Sequence, residues 1–350
     1  MNFSPKINCF IGNNGVGKTN LLDAIYYLSF CKSHFNSIDN QNIKHETDFF
    51  MLNGKYLFAE NETEISCACK RRQRKIFKCN KKEYEKLADH IGLLPLVLIS
   101  PADIALIAEG SDERRKFVDG VISQYNKLYL NKLIAYNNAL LQRNSLLKNE
   151  KTDDTLLDVL DEQMAENGKF IFEERQKFLE KFVPVFQEFY NKIAVENEQV
   201  MLNYVSQHKE TENILEKIKS ARQRDKILGF STVGIHKDDL EFLLCDFGIK
   251  KFGSQGQCKT FVIALKLAQF AFLAQINGFS PVLLLDDIFD KLDAYRVEKI
   301  VELVGGQLFG QIFITDTNRK HLDEILKKNA DNFLIFEIEN GKILAQTQNF

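Results

Sequence analysis

A glycine-rich stretch near the start of the chain has the residue types and the spacing needed to hold a phosphate group. Residues 12–19 read Gly-Asn-Asn-Gly-Val-Gly-Lys-Thr. Glycines let consecutive backbone N–H groups curl around phosphate oxygens, an approach that side chains would obstruct. The predicted nucleotide contacts of this phosphate loop are Gly12, Asn13, Asn14, Gly15, Gly17, Lys18, Thr19 and Asn20.

Two side chains at the end of the phosphate loop could do chemistry. Lys18 could reach the β- and γ-phosphates, and the Thr19 hydroxyl could bind Mg²⁺. The helix that begins here would point its positive end at the anion. A chance glycine-rich turn is the alternative, but an apolar run at 7–11 and a helix-like run at 20–28 flank the loop as the mechanism requires. We therefore predict ATP and Mg²⁺ as cofactors, with Lys18 as a catalytic residue.

A pair of acids far along the chain completes this chemistry. Four apolar residues at 282–285 are followed directly by Asp286 and Asp287. A buried strand that ends in a carboxylate would place it at the sheet edge beside a phosphate loop. We assign Asp286 to Mg²⁺ together with Thr19, and Asp287 to the attacking water, which it could orient or deprotonate.

A second candidate anion site lies at 253–257, Gly-Ser-Gln-Gly-Gln, before another helical run. A Ser hydroxyl, a Gly N–H and a helix N-terminus together could hold a phosphate. One nucleotide does not need two such sites from one chain. We therefore expect Ser254, Gly256 and Gln257 to contact the γ-phosphate held by another copy, which predicts an ATP-dependent homodimer. The alternative is a plain helix N-cap by Ser254.

The pattern of elements indicates how these residues are positioned. Strand-like and helix-like runs alternate in the first and last thirds, as in a mainly parallel α/β sheet. Apolar residues recur at helical spacing in the middle third, over 112–149, 154–194 and 211–228. We predict an α/β fold in which an ABC-type P-loop ATPase head with a mixed sheet is interrupted by an all-helical lobe. The predicted domains are 1–104 with 236–350 for the head, and 105–235 for the lobe.

The composition fits one large or two modest soluble domains. The chain has 350 residues, 45% hydrophobic and 27% charged, with a net charge of −2 that gives no overall electrostatic case for nucleic acid. Seven cysteines without CxxC pairing and the lack of a secretory signal indicate a cytoplasmic protein. The most apolar run, around 261–276, is interrupted by Lys266 and Gln269, so no membrane span is predicted.

A local charge cluster supports a nucleic-acid partner where the global charge does not. Residues 70–82 contain eight basic side chains and no acid, with Phe77 among them. Such a run is typical of a phosphate-backbone contact, and equally of a solvated hairpin tip. Both interpretations stay open from the residues alone.

Five segments carry a resemblance to a known family. In chain order they read GNNGVGKTNLLDAIYYLSFCKSH, EGSDERRKFVD, IHKDDLEF, GSQGQCKT and LLLDDIFDKLDAYR. Together they resemble the RecF family, bacterial recombination and gap-repair ATPases related to ABC ATPases and to the heads of chromosome-maintenance proteins. The resemblance covers nearly the whole chain.

The resemblance implies a head that dimerises on ATP, binds single-stranded, gapped or duplex DNA, and acts as a switch with weak DNA-stimulated ATPase activity. It also implies recombination mediator proteins as partners and a role in the SOS response. Ser254, Gly256 and Gln257 become the signature motif acting across the dimer, and Asp293 falls in the loop that crosses the interface. Candidate DNA contacts are Arg71, Arg72, Arg114 and Arg115, although Arg114 and Arg115 could equally pair with acids as structural residues.

The chain departs from the family pattern at two places that bear on the site. Members of the family usually begin with a further strand or two, whereas Met1 lies close to the phosphate loop here, so we expect an exposed sheet edge and a weaker adenine contact. Where ABC relatives often carry a γ-phosphate-sensing His, residues 315–317 read Thr-Asp-Thr, so no sensor is assigned. The alternatives are a P-loop kinase and another ABC-type ATPase that acts without DNA.

Overall fold

The computed structural model describes residues 1–36, 38–58, 61–149, 154–194, 198–208, 213–289, 292–317 and 333–349. These residues form two compact units, each described by itself. Unit 1 comprises Met1–Asp103 and Gln269–Phe350, and unit 2 comprises Ile104–Ala268.

The elements follow in chain order. The strands are β1 Ile7–Ile11, β2 Phe49–Phe58, β3 Asn61–Lys70, β4 Ile76–Cys79, β5 Lys82–Glu83, β6 Leu96–Ile99, β7 Val200–Val205, β8 Asp239–Leu244, β9 Phe247–Gly248, β10 Val282–Asp286, β11 Ile312–Asp316, β12 Phe333–Glu339 and β13 Lys342–Asn349. The helices are α1 Lys18–Phe30, α2 Ala105–Ala108, α3 Ser111–Ser123, α4 Lys127–Leu147, α5 Asp154–Ile193, α6 Ile214–Leu228, α7 Ile249–Phe252, α8 Gln255–Asn277 and α9 Ala294–Val304.

Unit 1 contains a six-stranded mixed sheet in the order β13-β12-β1-β11-β10-β6. All neighbours are parallel except β13, which runs antiparallel to β12. Strand β1, which leads into the phosphate loop, pairs with β11 on one side and β12 on the other. Strand β1 therefore lies inside this sheet, and the edge strands of the sheet are β13 and β6.

The core of this sheet explains why short apolar runs form its strands. Strands buried on both faces favour near-continuous apolar residues, as in Leu-Val-Leu-Ile of β6. Phe10, Phe313 and Phe336 from three adjacent strands form one aromatic cluster, with ring centroids 6.2 Å apart for Phe10–Phe313 and 5.4 Å for Phe10–Phe336. Leu22 of α1 packs against the same core. The helix after the phosphate loop is thus held against the sheet.

A second sheet in unit 1, β2-β3-β4-β5, is antiparallel throughout. Its inner face, including Ile65 and Phe77, packs against Tyr27 and Leu28 of α1. Cys67 lies in the same core, where burial raises the pKa of its thiol to about 12. This sheet therefore supports α1, and it carries the basic stretch 70–82.

Unit 2 is mainly helical, with α4 and α5 in contact as the predicted helical pair. The single helix expected over 112–149 is instead two, α3 and α4, because the Asn126 side chain accepts a hydrogen bond from Tyr129 N and caps a new helix. The predicted start of the third helix at Thr211 lies outside the described residues, and α6 is described from Ile214.

The lobe is not all-helical, and its second boundary differs from the prediction. Strands β7, β8 and β9 form an antiparallel sheet in unit 2. The residues 236–268 that were predicted for the head belong to unit 2, because β8 pairs with β7 along its whole length. The first boundary, Asp103/Ile104, lies one residue from the predicted one.

One helix among the described residues is long and apolar enough to cross a membrane by length and composition alone. This helix is α8, with a mean hydropathy of 1.4 over its most apolar window, of which 72% is buried within the structure. Such burial is typical of a core helix in a globular protein.

Candidate functional site: the phosphate loop and its two acids

The phosphate loop joins the end of β1 to the start of α1, and its glycines are required by geometry. Gly15 and Gly17 adopt φ of 81° and 101°, a left-handed conformation that L side chains rarely adopt. A Cβ on Gly12 would lie 2.4 Å from the Ile338 carbonyl oxygen of β12. Asn13, Asn14 and Asn20 are exposed around the loop.

Lys18 begins α1 and is 4% exposed. Its ammonium donates hydrogen bonds to the carbonyl oxygens of Gly12 at 2.8 Å and Asn13 at 3.1 Å. The α1 N-terminus has no side-chain cap, and its N-cap residue is Gly17. The loop thus combines a buried positive charge with helix N–H groups that their own side chains do not cap, which suits an anion.

The two acids lie where β10 ends, beside the start of α1. The Thr19 hydroxyl donates to the Asp286 carboxylate, 3.1 Å from each oxygen, and Asp286 is 5% exposed. Asp287 follows with φ of 46°, a conformation uncommon for residues other than Gly and concentrated at functional sites. The structure therefore brings together the two residues that the sequence assigned to Mg²⁺.

Thr315 joins the two acids and was missed by sequence reasoning. Its hydroxyl donates to Asp286 Oδ1 at 2.6 Å and accepts from the Asp287 backbone N–H at 3.1 Å. It occupies the 315–317 segment in which no γ-phosphate sensor was assigned. The signal that could have identified it is a Thr that directly follows the short apolar run 312–314.

The second anion motif begins α8 and is satisfied by its own side chains. Ser254 Oγ accepts from the Gln257 backbone N–H at 3.2 Å, and Gln257 Oε1 accepts from the Ser254 N–H at 2.7 Å. This reciprocal pair is a capping box. Ser254 is exposed, whereas Gly256 and Gln257 are half-buried, and Gln257 Nε2 also donates to Glu198 at 2.5 Å. The N-cap alternative is thus realised in this chain.

Asp293 caps α9, since its carboxylate accepts from the Arg296 backbone N–H at 2.9 Å. This bond, together with the Arg296 guanidinium, holds the pKa of Asp293 below its ordinary value. The carboxylate is about half exposed, at 48%. The two residues 290–291 before this turn lie outside the described residues.

Several basic candidates are engaged in structural contacts. The Arg71 guanidinium donates to backbone carbonyls of Thr47 and Asn40 at 3.0 and 3.3 Å. Arg114 makes a two-pronged pair with Asp239 at 2.8 and 2.9 Å, and Arg115 donates to the Asp238 carbonyl oxygen. These acceptors support the structural interpretation for Arg114 and Arg115, and the Arg71 guanidinium is held by backbone carbonyls.

The remaining basic residues of 70–82 include several that face solvent. Lys70 ends β3, and Arg72 lies in the β3–β4 turn with φ of 59°. The exposed members of the stretch are Lys70, Arg72, Arg74, Lys81 and Lys82. A cationic surface of this size suits a polyanion.

Comparison with known proteins identifies the family. A family model described as the RecF/RecN/SMC N terminal domain matches residues 1–343. DNA replication and repair protein RecF of Bacteroides thetaiotaomicron is 59% identical over 344 residues, which cover 97% of this chain and 93% of that protein. The chain is a member of the RecF family. The RecF of Porphyromonas gingivalis is 49% identical, covering 97% of this chain and 94% of its own length.

Solved structures agree with this RecF assignment. The recombination mediator protein RecF with ATP, of the RecFOR pathway, matches with a TM-score of 0.88 at 30% identity, covering 99% of this chain and 93% of that chain. An Smc head domain from Pyrococcus furiosus matches with a TM-score of 0.57 at 17% identity, which supports the fold alone. The predicted family and the predicted α/β ATPase-head fold with a helical lobe are confirmed.

Proposed function

We propose that this RecF-family chain is an ATP-dependent DNA-binding protein of recombinational repair and replication-fork maintenance. The observation that carries the proposal is the cluster of Lys18, Thr19 and Asp286 at the junction of loop, helix and strand. Relatives named for DNA replication and repair, and a related structure named for its ATP, support the same conclusion.

The residues present fit Mg²⁺ as a cofactor. Thr19 and Asp286 supply hydroxyl and carboxylate oxygens, the ligands that Mg²⁺ prefers. When bound, the ion neutralises charge on the β- and γ-phosphates. Lys18 binds phosphate oxygens through its ammonium. Asp287 accepts a proton from the attacking water or orients it, and Thr315 holds the Asp287 backbone beside Asp286.

The signature motif acts on a nucleotide that a second copy holds. Ser254 is exposed, and its hydroxyl accepts the Gln257 N–H while its own hydrogen is available to donate. Gly256 adds no side chain that would obstruct a phosphate. ATP then joins two copies, and slow hydrolysis releases them, so that the chain works as a weak DNA-stimulated ATPase switch.

The DNA contact is electrostatic and centres on the exposed residues of 70–82. Single-stranded, gapped or duplex DNA would bind there in the ATP-bound dimer. Recombination mediator proteins are the proposed protein partners, with recombinase loading and the SOS response as the context. The proposed location is the cytoplasm.

The test is the affinity for a fluorescent gapped duplex, measured by anisotropy with ATP at several salt concentrations. Each phosphate contact should contribute about −0.9 to the log-log slope, so Lys70→Gln with Arg72→Gln should reduce the slope by about 1.8. Lys116→Gln, an exposed cation of unit 2, is the control and should leave the slope unchanged.

Two outcomes oppose the proposal. ATP-dependent dimerisation without any salt-sensitive DNA binding would favour an ABC-type ATPase that acts without DNA. Phosphate transfer to a small acceptor by a monomer would favour a P-loop kinase.

A further inference from the structure

The turn of the β12–β13 hairpin touches the phosphate loop. Gly341 N–H donates to the Val16 carbonyl oxygen at 3.0 Å. One residue before the end of β12, the Ile338 carbonyl oxygen lies 2.4 Å from where a Cβ of Gly12 would be. The hairpin therefore contacts the phosphate loop at Gly12, the first residue of the loop, and at Val16, near the end of the loop.

The Gly341 contact sets the orientation of a peptide plane in the loop. In a trans peptide the carbonyl oxygen of one residue and the N–H of the next point in opposite directions. Because the Val16 carbonyl is directed at the hairpin turn, the Gly17 N–H is directed away from it. A phosphate loop works only if its N–H groups face a common concavity.

The turn has the conformation that makes this contact. Asn340 and Gly341 adopt φ of 49° and 72°, the pair of positive values that defines a type I′ turn. Asn80 and Lys81 adopt nearly the same values, 48° and 69°, between β4 and β5. Gly is favoured at 341 because L side chains rarely adopt this φ, although Lys81 does so, and a Cβ at Gly341 would meet nothing within 4 Å.

We propose that the Asn340-Gly341 turn is a positioning element of the nucleotide site. It acts through Val16, and it fixes the Gly17 N–H towards the bound phosphate. This inference deepens the proposed function and rests on it. It assigns to the C-terminal hairpin a role in phosphate binding, in addition to covering the edge of β1.

A change of turn type separates positioning from simple support. Asn340→Gly with Gly341→Ser gives Gly-Ser, which favours a type II′ turn of the same length. The central peptide of a type II′ turn is flipped relative to type I′, so the residue 341 N–H turns away from Val16. Asn340→Gly alone gives Gly-Gly, which is compatible with type I′ and keeps the donor.

Two readouts are measured on the parent and both variants. Hydrogen exchange of the peptide covering residues 12–20, without nucleotide, should be faster in the double variant only. ATP affinity should fall about twofold to tenfold in the double variant, as expected for one lost hydrogen bond, and stay near parental in the single variant. Thermal melting reports whether the hairpin remains folded.

The outcomes are separable. Unchanged exchange and unchanged affinity in a folded double variant would overturn the inference. A lower melting temperature with unchanged exchange over 12–20 would also overturn it, because that is the signature of structural support alone. A parent that binds no ATP would defeat the proposed function, while the exchange measurement would still decide whether the turn orders the loop.

Discussion

The two glycine-containing helix starts, those of α1 and α8, differ in how their first N–H groups are satisfied. The α1 start has Gly17 as its N-cap and no side-chain cap, and a buried Lys18 beside it. The α8 start is closed by the reciprocal pair of Ser254 and Gln257. An uncapped N-terminus favours an anion as its partner, whereas a capped one is stable without a ligand.

This difference indicates distinct roles for two motifs that look alike in sequence. The phosphate loop is built to hold a nucleotide within one chain. In the proposed dimer the Ser254 motif has a hydroxyl hydrogen to offer, so it would add a contact to a phosphate that is already bound. A monomer should therefore bind ATP, and the second motif should matter only to assembly.

The largest expected effect is that of acid, which should destabilise unit 2, where the Ser254 motif lies, more than unit 1, where the phosphate loop lies. Burial lowers the pKa of His208 and His236 in unit 2 to about 4, with a further lowering by Lys217 at His208, while a hydrogen bond to the Ser231 carbonyl partly opposes the shift at His236. Between pH 6.5 and 4 both side chains are neutral in the folded state and gain protons on unfolding. Their contribution to the free energy of unfolding is therefore fully present above pH 6.5 and is lost as pH falls towards 4. At pH 5 each histidine should lower the free energy of unfolding of unit 2 by about 2 kcal/mol.

Hydrogen exchange at pH 7 and pH 5, corrected for intrinsic rates, measures this effect on peptides from each unit. His208→Asn removes one titrating group and should recover about half of the loss. In unit 1, burial also lowers the pKa of His90. The assignment to His208 and His236 would be contradicted if both units lost the same stability at pH 5 and if His208→Asn left that loss unchanged.

Replacement of Lys18 tests the open start of α1. Lys18→Met keeps an unbranched buried side chain but removes the charge, and ATP affinity should fall about 10- to 150-fold, since charge-assisted hydrogen bonds contribute about 1.5–3 kcal/mol. Titration with a fluorescent ATP analogue measures this change. The matched Lys259→Met, within the first turns of α8, should leave the monomer's affinity unaltered; a similar loss there would erase the contrast between the two helix starts.

Thr315 should have a smaller effect, confined to the acids beside α1. Thr315→Val preserves the shape of the side chain and removes the hydroxyl that joins Asp286 to the Asp287 backbone. We expect Mg²⁺-dependent ATP affinity to fall about threefold to tenfold, with little change when Mg²⁺ is chelated. An equal fall with and without Mg²⁺ would argue that Thr315 serves packing only.

Local patterns predicted much of unit 1. The apolar run at 7–11 forms β1, and the helix-like run after the phosphate loop forms α1. Asp286 lies beside Thr19 as the order of strand, acid and loop implied. These features succeed because each depends on a short stretch with strong periodicity or turn chemistry.

The features that were missed depend on pairing between distant residues. β8 reads as a strand in sequence, but only β7 assigns it to unit 2. Thr315 gains its role from Asp286, which lies 29 residues earlier, and Gly341 gains its role from Val16 in the phosphate loop, near the opposite end of the chain. Register of this kind is not encoded in any single window of the sequence.

The mass of the protein in solution directly tests whether ATP joins two copies. The measurement uses Asp287→Asn, in which ATP should bind but persist because the water lacks its base. We expect a monomer without ATP, a dimer with ATP and Mg²⁺, and a monomer again when Ser254→Arg is added, with ATP affinity in the monomer retained. A monomer under every condition, or a dimer that ignores Ser254→Arg, would contradict it.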